Sequence, residues 1–236
     1  MAADALHPPP PVLPAYGGAC LDGVVPALMA PPGQRPEWLP PPAASARQVV
    51  LLVLDGLGWG QLRSRGGVAP HLAAMAGGPV TSVCPTTTAT ALTSITTGRP
   101  PAAHGVVGYR LRVDGPGGDE VLNVLRWRTA AGDARERVVP ATFATAAPFA
   151  GRPVPVVSRA EFAGTGFSAA HLGGSRSVPY HLVSSVAVEV GRLVAAGEPF
   201  VYAYWDGIDK IAHIAGLGEH YDAELAASDA LVGAVA

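Results

Sequence analysis

The sequence predicts an α/β fold, a mostly parallel β-sheet with helices on both faces. One observation is the run QVVLLVL at 48–54, continuously apolar with no polar alternation, as in a strand covered on both faces of a parallel sheet. The other is the order of segments: strand-like runs alternate with helical ones along the chain, which is the pattern of a sheet sandwiched by helices.

The elements follow in order. Residues 1 to 45 hold Pro8 to Pro11 and Pro40 to Pro42, and predict an extended arm around one short apolar helix, Gly23 to Met29, ahead of an α/β domain over 46–236. The first strand, Gln48 to Leu54, ends at Asp55-Gly56. A helix containing Leu62 follows, then a short one over HLAAMA with Pro70 at its first position. Pro79 to Val83 is expected as a second strand, and Ala89 to Thr97 as a helix closed by Gly98. Val106 to Leu125, with Gly115, Pro116, Gly117 and Gly118 inside it, predicts a hairpin insertion. Pro153 to Val157 is a third strand, Tyr180 to Ala196 a long amphipathic helix and Phe200 to Trp205 a fourth strand. Asp209 to Gly216 and His220 to Ala236 complete the series as helices.

At 236 residues the chain can bury a sizeable core. With 49% hydrophobic and 14% charged residues and a formal net charge of -2, it offers no basic surface to a nucleic-acid polymer or an anionic membrane, so a small-molecule partner is expected. Cys20 and Cys84 form no CxxC pair, which argues against a disulfide framework or a thiolate zinc site. The opening MAADALHPPPP lacks the basic and apolar regions of a secretory signal, and no apolar run reaches transmembrane length. A cytoplasmic location is the expectation, and the oligomeric state is left open.

In a parallel sheet, ligands bind beyond the carboxyl ends of the strands. Asp55 follows the first strand, Thr86 to Thr88 follow the second, and Asp206 and Asp209 follow the fourth. Taken singly, each has an ordinary structural reading: a strand-end Asp caps a turn, a threonine caps a helix, and Asp209 with His213 at i and i+4 is common helix-surface polarity. Taken together they match one chemistry. A hydroxyl at a helix N-terminus stands where backbone N–H groups and the helix dipole favour a phosphate oxygen. An alcohol needs a metal or a base to become a nucleophile. Asp55, Asp209 and His213 carry oxygen and imidazole donors suited to zinc or a similar ion, and two such ions about 4 Å apart would clamp an in-line phosphoryl displacement.

Three stretches carry a family resemblance: VVLLVLDGLG at 49–58, PTTTATALTSITTGRPPAAHGVVGY at 85–109 and YWDGIDKIAHIAG at 204–216. In content and order they resemble the alkaline phosphatase superfamily, most closely its nucleotide pyrophosphatase/phosphodiesterase branch, from about residue 16 onward. The resemblance implies an alkaline-phosphatase-like sheet and a hydrolase of phosphodiester or pyrophosphate bonds, working through a covalent phospho-enzyme and two divalent metal ions, Zn²⁺ foremost. It implies Asp55 as a metal ligand and Thr88 as the nucleophile, with Thr87 as the fallback; Thr88 would also bridge toward the metals. It implies Asp209 and His213 as ligands of the other metal, with Asp206 as the competitor that lacks the D-x-x-x-H spacing.

Family members continue to a further strand with Asp-His-Gly and to one more His, and no DHG occurs among these residues. The domain is therefore expected to lack its C-terminal strands and to offer two ligands per metal. The alternatives are a phosphomonoesterase on the same fold and an inactive fragment. A sulfatase is disfavoured, because Cys84 is followed directly by Pro85 and the C-x-P-x-R signature is absent. The remaining polar residues read structurally. His104 is expected to shape the turn after the threonine helix. His71, His171, His181, His220, Asp222 and Glu224 are expected at surface or cap positions, and Cys84 as a small buried side chain.

Overall fold

The computed structural model describes residues 11–236; the first ten, with most of the proline run Pro8 to Pro11, lie outside the described residues. In chain order the elements are α1 (Leu21–Met29), α2 (Pro41–Ser45), β1 (Val49–Leu54), α3 (Trp59–Ser64), α4 (Pro70–Ala74), α5 (Thr88–Thr97) and α6 (Pro101–His104). Next come β2 (Arg110–Gly115), β3 (Gly118–Asn123), β4 (Arg128–Thr129), β5 (Gly132–Asp133), α7 (Pro140–Phe143), β6 (Pro155–Arg159) and α8 (Gly166–His171). The series ends with β7 (Arg176–Tyr180), α9 (Ser184–Ala195), β8 (Phe200–Trp205), α10 (Gly207–Ala215) and α11 (Glu219–Val235).

The main sheet has the order β1-β8-β6-β7, with every pairing parallel. Strand β8 is buried along its whole length, and its alternation builds two cores. Phe200, Tyr202 and Tyr204 face α1, α5 and Phe149 on one side, while Val201, Ala203 and Trp205 face α9 and α11 on the other. The hairpin insertion forms as expected: β2 and β3 pair antiparallel around Gly115–Gly118, and β4 and β5 extend them into a small second sheet.

Several expectations are corrected. Pro79 to Val83 does not join the sheet. Its Thr81 N–H donates to Ala19 O at 2.9 Å and its Thr81 O accepts from Leu21 N–H at 3.0 Å, so its polar groups pair with the segment entering α1. Cys84, just beyond it, is exposed on this loop instead of buried. Strand β7, absent from the sequence reading, contains Pro179, which a sheet accepts on an edge strand. Helix α9 consequently begins at Ser184, not at Tyr180, which ends β7 and donates its hydroxyl to Tyr204 O at 3.0 Å. The run VVLLVL of β1 was expected to be covered on both faces; it stands at an edge of the sheet and is half-buried throughout.

Helix α1 of the expected arm is packed into the core, where Val25, Ala27 and Leu28 are buried against α5. The approach is close. Gly98 ends α5 at φ +66, and a Cβ there would stand 2.5 Å from Pro26 Cγ, so both conformation and space require glycine.

Helix α5 answers why the chain spends so many threonines in one place. Thr93, Thr96 and Thr97 are buried, and each hydroxyl donates to a carbonyl one turn back: Ala89 O at 2.7 Å, Leu92 O at 3.0 Å and Thr93 O at 2.6 Å. Small hydroxyl side chains that satisfy themselves in this way let α1, α6 and α8 approach the helix from several sides. His104 clamps the following turn as expected. Its Nδ1 accepts from Val106 N–H at 3.1 Å, so Nε2–H donates to Ser94 Oγ at 2.8 Å, and burial pushes the imidazole down to about 4.

Candidate active site

The carboxyl ends of β1 and β8 lie side by side, because Leu54 pairs with Trp205 in register. Asp55 therefore emerges next to Asp206, and one turn of α10 brings Asp209 over it. Backbone bonds lock this arrangement: Asp55 N–H donates to Trp205 O at 2.9 Å, and Asp209 N–H donates to Asp55 O at 3.0 Å. Gly56 makes the crossing possible, since it sits at φ +81 and a Cβ on it would lie 2.4 Å from the Asp209 backbone. The Asp55 side chain is held in turn, with Oδ2 accepting from Tyr204 Oη at 2.6 Å.

Thr88 is the first residue of α5, after the extended Thr87. The three threonines are not equivalent. Thr86 Oγ1 donates to Val83 O at 2.9 Å and Thr87 Oγ1 to Thr90 Oγ1 at 3.2 Å, so both hydroxyls have protein partners. Thr88 stands where two cavities meet: an open groove of about 590 Å³ beside β1 and α3, and a more enclosed one of about 200 Å³ between α5, α8 and β8. Asp55 and Asp209 line both of them as well.

The electrostatics follow from this convergence. The Asp209 carboxyl is pushed above the usual carboxylate range, first by burial and then by the negative charge of Asp55, with His213 opposing. His213 Nε2 lies 3.6 Å from Asp209 Oδ1, but its side chain is 80% exposed and lines neither cavity. The structure thus brings Asp55, Thr88 and Asp209 together and leaves His213 on the rim. The competitor Asp206 also lines the enclosed cavity, but its carboxylate is paired: Oδ1 lies 2.5 Å from Arg159 Nε, whose guanidinium stacks 4.6 Å from the Trp205 ring centre.

The donor set suits a divalent cation. Two carboxylates, one of them disfavoured as an anion by burial and by its neighbour, share a cleft with an alcohol. It is short in number, since among the described residues no three His, Cys, Asp or Glu side chains gather to hold one ion.

Matching against family models assigns residues 49–235 to the type I phosphodiesterase / nucleotide pyrophosphatase model. The chain belongs to this family. Among solved structures, murine ectonucleotide pyrophosphatase / phosphodiesterase 5 is similar, with a TM-score of 0.56 at 16% identity, over 80% of this chain and 51% of that one. At that identity the likeness concerns the fold, and the chain spans about half the length of the structure it matches. No curated protein matches the chain. No helix among the described residues is long and apolar enough to cross a membrane.

Sequence reasoning missed four residues around this phosphodiesterase-family cleft. Tyr202 and Tyr204 were read only as strand, and Arg159 went unnoticed at the end of β6. His171, expected at a surface or cap position, is 4% exposed; its ring stacks on Phe167 at 4.0 Å, and Nδ1–H donates to Phe167 O at 2.7 Å. Burial pushes His171 down to about 4, so it is neutral near pH 7. The i, i+4 spacing of Phe167 and His171 in GFSAAH was the available signal.

Proposed function

We propose that this chain carries the reactive part of a metal-dependent hydrolase of phosphodiester or pyrophosphate bonds, with Thr88 as nucleophile. The observation that carries the reading is the meeting of Asp55, Thr88 and Asp209 at one cleft beyond the strand ends, in a chain of this family. Asp55 and Asp209 are the residues that would hold divalent ions, with His213 reachable beside Asp209 by a rotation of its exposed side chain. Such ions, when bound, supply positive charge that lowers the pKa of an alcohol and offsets charge on phosphoryl oxygens.

The roles of the protein groups follow from their positions. The substrate phosphate approaches the N-terminus of α5, where unpaired backbone N–H groups and the helix dipole favour its oxygens. Thr88 Oγ gives up its proton to solvent and forms a bond to phosphorus in line as the bond to the leaving oxygen breaks. That oxygen departs as the alcohol or phosphate after taking a proton from water. Water then attacks the phosphothreonine, the Oγ–P bond breaks, and the phosphate product leaves as Thr88 regains its proton. Tyr204 keeps the Asp55 carboxylate in one orientation throughout.

The test is hydrolysis of bis(4-nitrophenyl) phosphate and of 4-nitrophenyl phosphate, with and without Zn²⁺, by the wild-type chain and by Thr88→Ala. Zinc-dependent turnover that favours the diester and disappears in Thr88→Ala is the expected result. Turnover that survives in Thr88→Ala overturns the assignment of the nucleophile, and preference for the monoester replaces the diesterase with a monoesterase.

A further inference from the structure

The outer face of the small second sheet carries an imbalance of charge that its folding does not need. In register, Asn123 of β3 stands between Arg110 of β2 and Arg128 of β4, so these three side chains share one face. Arg126, in the turn that joins β3 to β4, lines the same open cavity of about 520 Å³ as Arg110, Asn123 and Arg128. The three arginines are exposed, and none of them takes part in an ion pair among the described residues.

Carboxylates are near, but each is taken. Asp119 and Glu120 also line the cavity, and they lie 3.0 Å from Arg112 and 3.2 Å from Arg137. Asp133, opposite Arg128 in register, accepts from Arg135 at 3.0 Å and 2.7 Å. Three acids therefore neutralise three other arginines, and Arg110, Arg126 and Arg128 keep their charge around one hollow. Like charges gathered in this way repel, so packing gives no reason for them.

The trio is also held in place. Asn123 Nδ2–H donates to Tyr109 Oη at 2.7 Å, while its Oδ1 accepts from Arg126 N–H at 3.1 Å. The Arg110 guanidinium lies 6.0 Å from the centre of the Tyr109 ring. Val124 and Trp127, on either side of the exposed part of the turn, are buried and anchor it.

Geometry narrows the ligand. Neighbouring strands run about 4.8 Å apart, so the backbones at Arg110 and Arg128 are roughly 10 Å apart. Long side chains reaching inward from that separation can grip two or three linked phosphoryl groups, whose oxygens match the guanidinium fork pairwise. The cavity shares no lining residue with either of those at Thr88.

We propose that Arg110, Arg126 and Arg128 form a binding site for a compact polyanion of the diphosphate or triphosphate class, separate from the reactive cleft. Neither Thr88 nor a metal takes part in it, so it stands or falls apart from the phosphodiesterase reading.

The experiment titrates pyrophosphate, orthophosphate and a hexaglutamate peptide into the metal-free protein by calorimetry, in wild type, Arg126→Gln/Arg128→Gln and Arg192→Gln. The last variant removes an exposed charge on α9 and serves as the control. Pyrophosphate should bind wild type at least about tenfold more tightly than orthophosphate, and the double variant should lose at least about tenfold in affinity. Arg192→Gln should bind like wild type, and the ligand-free Tm of the double variant should be unchanged or higher. A lower Tm with unchanged pyrophosphate affinity would show that the arginines serve the fold, and would overturn the site. So would an equal loss in Arg192→Gln, or orthophosphate bound as tightly as pyrophosphate. Tighter binding of hexaglutamate than of pyrophosphate would replace the small polyanion with an acidic protein segment.

Discussion

Tyr204 Oη donates a 2.6 Å hydrogen bond to Asp55 Oδ2, joining side chains 149 positions apart at the ends of adjacent parallel strands. The phenol is largely buried, and burial together with the Asp55 charge pushes its pKa far up, so it remains a donor at any working pH. A carboxylate oriented in this way should ligate a cation better than a free one, because its orientation is set before binding. Tyr204→Phe is therefore expected to weaken Zn²⁺ binding by about 10- to 100-fold while the fold persists. Titration against a chelating dye reads the affinity directly, and an unchanged Kd would show that the hydrogen bond serves packing alone.

Gly56→Ala tests how Asp55 and Asp209 are brought together. The new Cβ would meet the Asp209 backbone at 2.4 Å, and the residue would keep a φ of +81 that L-residues avoid. Neither partner can yield without breaking the Asp209 N–H to Asp55 O bond. A loss of at least about 2 kcal/mol in urea unfolding is expected, along with loss of metal binding. Gly60→Ala, where an added Cβ meets nothing within 4 Å, is the control and should change little.

Local signals made most of the framework legible. The apolar run of β1, the glycine closing α5 and the alternation of strands with helices depend on neighbours in sequence, and each element stands close to where those signals put it. The placement of Thr88, Asp55 and Asp209 beside one cleft was likewise legible, because each is tied to the end of one such element. What escaped depends on register between distant segments. Pairing of Leu54 with Trp205 is what sets Tyr204 against Asp55, and no local pattern encodes it. Strand β7 escaped because Pro179 argues against a strand until the strand is known to be an edge. Pro79 to Val83 failed in the opposite sense: a short apolar stretch read as a strand found its partners beside α1.

The Arg159–Asp206 pair invites a double-mutant cycle. Both side chains are mostly buried, at 17% and 15% exposure, so removing one leaves the other desolvated and unpaired. Arg159→Met alone is expected to cost about 3 kcal/mol, and Asp206→Asn alone somewhat less. The double variant should be less destabilised than the sum of the two, which urea unfolding of the four proteins would reveal. Strict additivity would mean that the pair contributes no coupling and that Arg159 acts through its stack on Trp205.

Acid should unfold this protein through its buried imidazoles. His104 and His171 both fall from an ordinary 6.5 to about 4 in the folded state, because burial disfavours the charged ring. Between those values the unfolded chain binds more protons than the folded one, so stability rises with pH. The contribution is full above pH 6.5, declines as pH falls below it, and is lost once pH passes through about 4. One imidazole shifted by that much corresponds to about 3 kcal/mol. Urea midpoints should therefore drop steeply from pH 7 to pH 4.5. His171→Phe keeps a ring against Phe167 but cannot titrate, so its stability should depend on pH less steeply, by about one proton across that window. An identical slope in wild type and variant would mean that His171 takes up its proton without unfolding the chain.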